Sequence, residues 1–317
     1  MLWLSLIWLF IGIVALVVGG DWLVRGAGRL AQAAGVSPLV AGLTVVAFAT
    51  SAPELVVSLR AALGGDVALA VGNVTGSNIA NVGLILGAAA LLAPLHVPAQ
   101  LARVDVRVMA VVFGCMWALG ADGAFAATDG LLLVGGLAAH LIVMTGMARR
   151  ADAQTPARPD RPVRRGQAAV AMGWVVAGVG LLLLGADRLV TGAVDLAQWA
   201  GVSERLIGLT VVALGTSLPE LAASLAATVR GEREIAVGNV IGSNVFNILG
   251  VLGVTALAAP TGLPVAPQAL ALDLPAMMIA GLICLWVCSR PREIRRWEGA
   301  AMLSAYALYM LSLAINR

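Results

Sequence analysis

The chain has no lysine: all twenty of its basic residues are arginine, and only 12% of its 317 residues are charged. A soluble domain carries roughly a quarter of its residues as charges, so this scarcity excludes an ordinary water-facing surface. Cysteine is rare as well, and Cys115, Cys284 and Cys288 all lie in apolar stretches. Cys284 and Cys288 share a helical face, but no histidine or acid stands near them, which leaves them as small core residues instead of metal ligands. Of the two histidines, His96 sits near a loop and His140 inside an apolar run; both read as structural. The HExxH and GxSxG signatures are missing, which argues against an intramembrane hydrolase. The expected protein is not an enzyme and needs no cofactor. A net charge of +3 offers nothing to attract nucleic acid.

Apolar sequence takes the place of all this: 60% of residues are hydrophobic and the mean hydropathy is +0.96. Reading apolar runs between charged or Pro/Gly breaks predicts ten membrane spans, at about 3–24, 37–60, 68–93, 104–121, 128–148, 167–188, 204–229, 235–259, 269–289 and 299–316. The first lacks a basic leader and a small-residue cleavage site, so it reads as a retained helix. The one distinctly polar stretch, "RRADAQTPARPDRPVRR" at 149–165, reads as a solvated linker. The expected organisation is therefore a five-span repeat over 1–148, a linker over 149–166 and a second five-span repeat over 167–317.

The two halves are copies. At a constant offset of 166 residues they align without a gap from Asp21 to Gly87. "GLTVVAFATSAPELVVSL" at 42–59 and "GLTVVALGTSLPELAASL" at 208–225 share thirteen of eighteen positions. "GNVTGSNIAN" at 72–81 meets "GNVIGSNVFN" at 238–247. Such a duplication is a strong signal. Five spans per copy is odd, so the second copy must enter the membrane inverted. Arginine placement agrees: with the linker in the cytoplasm and both termini outside, sixteen of the twenty arginines fall inside, and Arg60, Arg188, Arg205 and Arg317 fall outside. The fold class expected is all-α integral membrane, with ten transmembrane helices in two inverted-topology five-helix repeats and discontinuous helices at the midplane, in the inner (plasma) membrane. This is the architecture of a secondary transporter.

Each copy places a carboxylate beside a helix breaker at mid-span. Pro53 lacks an N–H and deprives the Ala49 carbonyl of its helical partner; Pro219 does the same to Gly215. Hydrocarbon tolerates such groups only where they face protein or a wet cavity. Thr50 and Glu54 lie four residues apart, on one helical face, with Ser51 and Ser217 close by. Asn73, Ser77 and Asn81 form a polar stripe at i, i+4, i+8, repeated by Asn239, Ser243 and Asn247. Gly72, Gly76, Gly238 and Gly242 would let these helices approach a neighbour closely. Asn73 and Asn239 are open to two readings, packing or direct ligation. Glu54 and Glu220 are not, since no arginine lies within either motif and an unpaired intramembrane carboxylate is expensive. Asp21 and Asp187 sit near span ends beside arginines and read as interfacial anchors. All the candidate ligand atoms are oxygens, which select hard cations such as Ca²⁺ or Na⁺ over zinc or copper.

At these motifs the sequence resembles the sodium/calcium exchangers of the calcium/cation antiporter superfamily, and the prokaryotic members without a large regulatory domain most of all. "GLTVVAFATSAPEL" and "GLTVVALGTSLPEL" resemble the first halves of that family's two α-repeats, and "GNVTGSNIANVGLILG" and "GNVIGSNVFNILGVLG" the second halves. The resemblance implies that Glu54 and Glu220 are the central acidic ligands of Ca²⁺ and Na⁺. It implies oxygen ligands at Thr50, Ser51, Thr216, Ser217, Ser77 and Ser243, backbone carbonyls at Ala47 and Ala213, and the midplane positions at Asn81 and Asn247. Some members carry aspartate where Asn247 stands, including those that co-transport K⁺, so asparagine argues against K⁺ dependence. Exchange of Ca²⁺ for Na⁺ by alternating access follows from the resemblance, with spans one and six as the moving helices and a monomer in the lipid bilayer as the working unit. Two rivals stand beside it. Ca²⁺/H⁺ antiport by the same fold would use the same carboxylates, and a passive cation channel would need no counter-ion.

Overall fold

A chain with this little charge buries its backbone polarity in helices, because hydrocarbon offers no other partner. The computed structural model describes residues 2–154, 165–201, 213–259, 261–290 and 293–316. Within them, helix α1 (Leu2–Ala34) leads into α2 (Pro38–Thr50), α3 (Ala52–Leu63) and α4 (Val67–Leu92), and then α5 (Val106–Gly120) and α6 (Ala127–Gln154). The second half holds α7 (Arg165–Trp199), the single turn α8 (Ala213–Gly215), α9 (Leu218–Val229), α10 (Arg233–Ala258), α11 (Leu274–Ser289) and α12 (Arg296–Asn316). Among the described residues six helices are long and apolar enough to cross a membrane, and the pair α2–α3, bent by 40°, makes a seventh. Residues 204–212, the start of the expected seventh span, lie outside the described residues, as does most of the expected linker.

Three features differ from the sequence-based expectation. Helices α1 and α7 run to 33 and 35 residues, well past the ends expected at 24 and 188. At 1.5 Å per residue each is about 50 Å long, against a hydrocarbon core of about 30 Å. Their extra turns carry Arg25, Arg29 and Asp195. Helix α6 likewise continues to Gln154 and α7 already starts at Arg165, so both ends of the expected linker are helical. Finally, the fold is not purely helical. The two-residue strands β1 (Leu95–His96) and β4 (Glu293–Ile294) pair antiparallel, as do β2 (Ala124–Phe125) and β3 (Leu263–Pro264). Each ribbon joins a loop of one half to a loop of the other.

Helices α1 and α7 occupy equivalent places in the two copies, yet they run antiparallel. A β-carbon at Gly12, Gly19 or Gly26 would lie 2.6–2.8 Å from atoms of Leu189, Leu182 and Val175, so rising numbers on one helix meet falling numbers on the other. The reverse holds from α7, where β-carbons at Gly178, Gly185 and Gly192 would strike Leu23, Leu16 and Ser5. Each helix thus carries glycine at every seventh position, two full turns apart, and the two backbones meet along that line. The sequence reading passed over this spacing.

Enclosure sets the layers. In their apolar windows α4 and α10 are 78% and 83% buried, whereas α1, α6 and α7 are 17–28% buried. The two motif helices form the centre and the long apolar helices face lipid. The close approach expected of the motif glycines occurs at α10, where β-carbons at Gly238 and Gly242 would lie 2.8 and 2.6 Å from the Leu39 and Leu43 carbonyls of α2. Gly72 and Gly76 do not share it: among the described residues nothing lies within 4 Å of a β-carbon there, and both line a cavity.

Candidate ion-binding site

The break between α2 and α3 falls at Ser51 (φ −80°, ψ 1°), and that between α8 and α9 at Ser217 (φ −87°, ψ 1°). Pro53 and Pro219 follow two residues later, at the second position of the new helix, where a missing N–H costs nothing. Glu54 and Glu220 therefore stand in the first turn of a helix, where the aligned peptide dipoles favour negative charge. Both are completely buried. The ion pairs among the described residues lie elsewhere, at Asp21–Arg25, Asp21–Arg230, Asp187–Arg188 and Glu298–Arg290. Asp21 and Asp187 are thus arginine partners, but they lie inside α1 and α7, which both continue well beyond them, and not at helix ends.

The hydroxyls do not serve the carboxylate next to them in sequence. Ser51 donates to Glu220 Oε1 at 3.3 Å, and Ser217 donates to Glu54 Oε1 at 3.5 Å. Thr50 and Thr216 likewise face the carboxylate of the opposite copy. The face shared by Thr50 and Glu54 is lost because the helix breaks between them, and the two breaks interlock across the pseudo-twofold. The Thr50 hydroxyl also has the carbonyls of Val46 (3.1 Å) and Ala47 (3.4 Å) within hydrogen-bond reach as alternative acceptors and lies 3.5 Å from Ser243 Oγ. The Ala47 carbonyl accepts the Ser51 N–H at 3.0 Å as well. Ser217 bonds Ser77 at 3.3 Å. Ala213 lies in α8, one turn before its break.

Asn73 and Asn239 brace this arrangement. Asn73 Nδ2 donates to the Glu54 carbonyl (3.2 Å) and to Ser58 Oγ (3.0 Å), while its Oδ1 accepts from Thr216 (3.3 Å). Asn239 repeats all three, to the Glu220 carbonyl (3.4 Å), to Ser224 (2.9 Å) and from Thr50 (3.2 Å). Each asparagine holds a glutamate's backbone and the other copy's threonine in one grip. Ser58 and Ser224, one turn beyond the glutamates, were missed in the sequence, although the repeat alignment pairs them.

Several buried polar atoms find no hydrogen-bond partner among the described residues. They include the second carboxylate oxygen of both glutamates, Oε2, and both amide atoms of Asn81 and of Asn247. Asn78 and Asn244, a further repeated pair absent from the expected site, donate to Val74 and Val240 carbonyls and leave Oδ1 unpartnered. A buried polar atom without a partner costs about 1–3 kcal/mol, and these recur in symmetry-related pairs. Asn81 and Asn247 each open a π-helical turn, Asn81–Leu86 and Asn247–Leu252, a widening of the helix frequent at functional sites. The set is one for a hard cation: two carboxylates, hydroxyls and amide oxygens, with no group of three His, Cys, Asp or Glu among the described residues. A cavity of about 620 Å³ reaches Asn73, Ser77 and Thr216 and is also lined by Gln268, Asp273 and Tyr309.

Known proteins resemble this chain over nearly its whole length. The family model described as sodium/calcium exchanger protein matches residues 4–146 and 170–314, once in each half. CaxA of Alkalimonas amylolytica is 40% identical over 316 residues, 97% of this chain and 98% of that one. The sodium/calcium exchanger MaX1 of Methanosarcina acetivorans is 32% identical, over 96% of this chain and 97% of its own. The solved structure of the sodium-calcium exchanger NCX_Mj, soaked with 10 mM Na⁺ and zero Ca²⁺, superposes with a TM-score of 0.85 at 31% identity, covering 99% of this chain and all of that one. With both halves matched, a shared fold and paired carboxylates in broken helices, this membrane protein belongs to the sodium/calcium exchanger family.

Proposed function

We propose that the protein is a secondary-active antiporter that exchanges Ca²⁺ for Na⁺ at Glu54 and Glu220. The observation that carries this reading is the pair of fully buried carboxylates, each with one oxygen unpartnered and neither paired with an arginine among the described residues. Two glutamates neutralise one Ca²⁺, and several Na⁺ would share them when Ca²⁺ leaves. Competition for the same oxygens prevents both ions from occupying the site together, which makes the carrier an exchanger. Thr50, Ser51, Thr216, Ser217, Ser77, Ser243, Asn81 and Asn247 supply neutral oxygens, and the Ala47 and Ala213 carbonyls the outer ligands. Na⁺ as the coupling ion is supported by the names of the relatives MaX1 and NCX_Mj.

Ten spans in two inverted five-helix copies, divided at 149–166, account for the antiparallel run of α1 and α7 and for the two ribbons that tie the halves together. The arginine bias puts the linker in the cytoplasm of the inner membrane and both termini outside. The cavity beside Thr216 is then an opening to the outer face. Alternating access closes it and opens the other end, with α1 and α7, joined along their glycine lines, sliding as one body. A passive channel would move Ca²⁺ without a counter-ion gradient. ⁴⁵Ca²⁺ uptake into proteoliposomes should instead stop when the internal counter-ion is removed, and uptake that continues unchanged would sink the exchanger reading.

A further inference from the structure

Helices α5 and α11 pack antiparallel at the edge of the bundle, where a β-carbon at Gly281 would lie 2.7 Å from the Phe113 ring. Where α5 begins and α11 ends, beside the β1–β4 ribbon, a second cavity of about 600 Å³ opens. It is lined by His96, Arg103, Arg107, Ser289 and Arg290 and touches none of the ion-site residues. Of its three guanidinium groups, Arg290 alone has an acidic partner among the described residues, Glu298 at 4.0 Å. Arg290 also lies 3.5 Å over the Trp286 ring, and tryptophan is a residue enriched at membrane interfaces. Asp105 falls between Arg103 and Arg107 in sequence but is buried. Glu293, opposite His96 in the ribbon, is exposed.

The internal repeat provides a control. "QLARVDVRVM" at 100–109 matches "QALALDLPAM" at 268–277, Asp105 aligning with Asp273. Ala271 and Pro275 then stand where the first copy has Arg103 and Arg107. The same element folds without arginines, so their convergence is not a need of the fold. Sidedness alone would ask for positive charge at this end of the bundle, but not for its concentration in one concave site. Beyond the cavity, the two helices expose apolar side chains toward lipid, namely Val111 (65%), Leu282 (56%) and Trp286 (51%).

We infer that this cavity binds the phosphate headgroup of an anionic phospholipid, whose acyl chains lie along the exposed apolar faces of α5 and α11. Guanidinium pairs phosphate in a bidentate fork, and basic pockets between membrane helices suit such headgroups. A free phosphate would use the arginines but not the apolar faces.

The test is native mass spectrometry of the full chain released from micelles holding equal phosphatidylglycerol and phosphatidylcholine. The wild type should retain phosphatidylglycerol preferentially, and Arg103→Gln/Arg107→Gln/Arg290→Gln should lower that preference by on the order of a hundredfold. Arg295→Gln, at the same end of the bundle but outside the cavity, should leave it unchanged. If the triple variant does not fold, Arg103→Gln/Arg107→Gln should show more than a tenfold drop. Equal retention of both lipids by the wild type, or an equal loss with Arg295→Gln, overturns the inference. So does displacement of phosphatidylglycerol by millimolar inorganic phosphate, which would assign the site to a free anion.

Discussion

Ser51 and Glu220 lie 169 positions apart, and the serine hydroxyl donates to the glutamate at 3.3 Å inside the bundle. The same contact, reflected, joins Ser217 to Glu54. Each carboxylate is held by the broken helix of the opposite copy, so neither half contains a complete site. Ser51→Ala should therefore act through Glu220. We expect about a tenfold loss of apparent Ca²⁺ affinity, the worth of one charge-assisted hydrogen bond. Combining it with Glu220→Gln should add nothing to the latter alone. Independent, additive losses in a double-mutant cycle would show the contact to be inconsequential.

Glu54→Gln and Glu220→Gln should each abolish gradient-driven Ca²⁺ movement while the protein still elutes as a folded monodisperse species, since glutamine keeps the shape and removes half of the site's charge. Near-normal flux in either variant would displace the glutamates from the centre of the mechanism.

Asn239→Ala removes three hydrogen bonds at once and leaves the Glu220 carbonyl, Ser224 and Thr50 without their shared partner. With about 1–3 kcal/mol for each buried group left unpaired, thermal stability and Ca²⁺ affinity should fall together. Asn239→Asp keeps the acceptor for Thr50 but cannot donate to the carbonyl, so it should not rescue. Full activity in the aspartate variant would mean that Asn239 serves as a ligand and not as a brace.

Much of this site is readable in the sequence, because a duplicated carboxylate beside a duplicated proline has few structural excuses in a membrane. The repeat also makes the broken helices legible, since Pro53 and Pro219 force them. What sequence could not supply is the swap. Thr50 and Glu54 are neighbours in any helical reading, and only the interlock of two breaks turns each hydroxyl to the opposite carboxylate. The bracing role of Asn73 and Asn239 depends on the same three-dimensional crossing. The glycine lines of α1 and α7 were visible as a spacing of seven but carried no meaning until the helices were seen to be partners. The π-helical turns at Asn81 and Asn247 have no sequence signal that separates them from ordinary helix.

Those glycine lines give a prediction of their own. A β-carbon at Gly19 would approach Leu182 N at 2.8 Å, and one at Gly185 would approach Leu16 N at the same distance. Gly19→Leu or Gly185→Leu should force α1 and α7 apart and slow exchange severely, with Ca²⁺ binding at the central site affected far less. Wild-type turnover in both variants would show that this pair has no part in the transport cycle.

Sidedness rests on the arginines. A cysteine placed at Ala153, in a background where Cys115 is replaced, should be shielded from impermeant thiol reagents in intact cells and labelled after permeabilisation. Labelling from outside would invert the orientation and every statement about inner and outer faces.

Exchange of Ca²⁺ for Na⁺ on shared carboxylates is tested most directly by ⁴⁵Ca²⁺ uptake into proteoliposomes under one imposed gradient at a time. An outward Na⁺ gradient should drive uptake, with external Na⁺ inhibiting steeply because several Na⁺ replace each Ca²⁺. Mild acid should weaken both ions' binding by placing a proton on a glutamate oxygen, while K⁺ gradients do nothing. Robust uptake driven by a pH gradient in Na⁺-free medium, with no further stimulation by Na⁺, would contradict the account and assign the same site to Ca²⁺/H⁺ exchange.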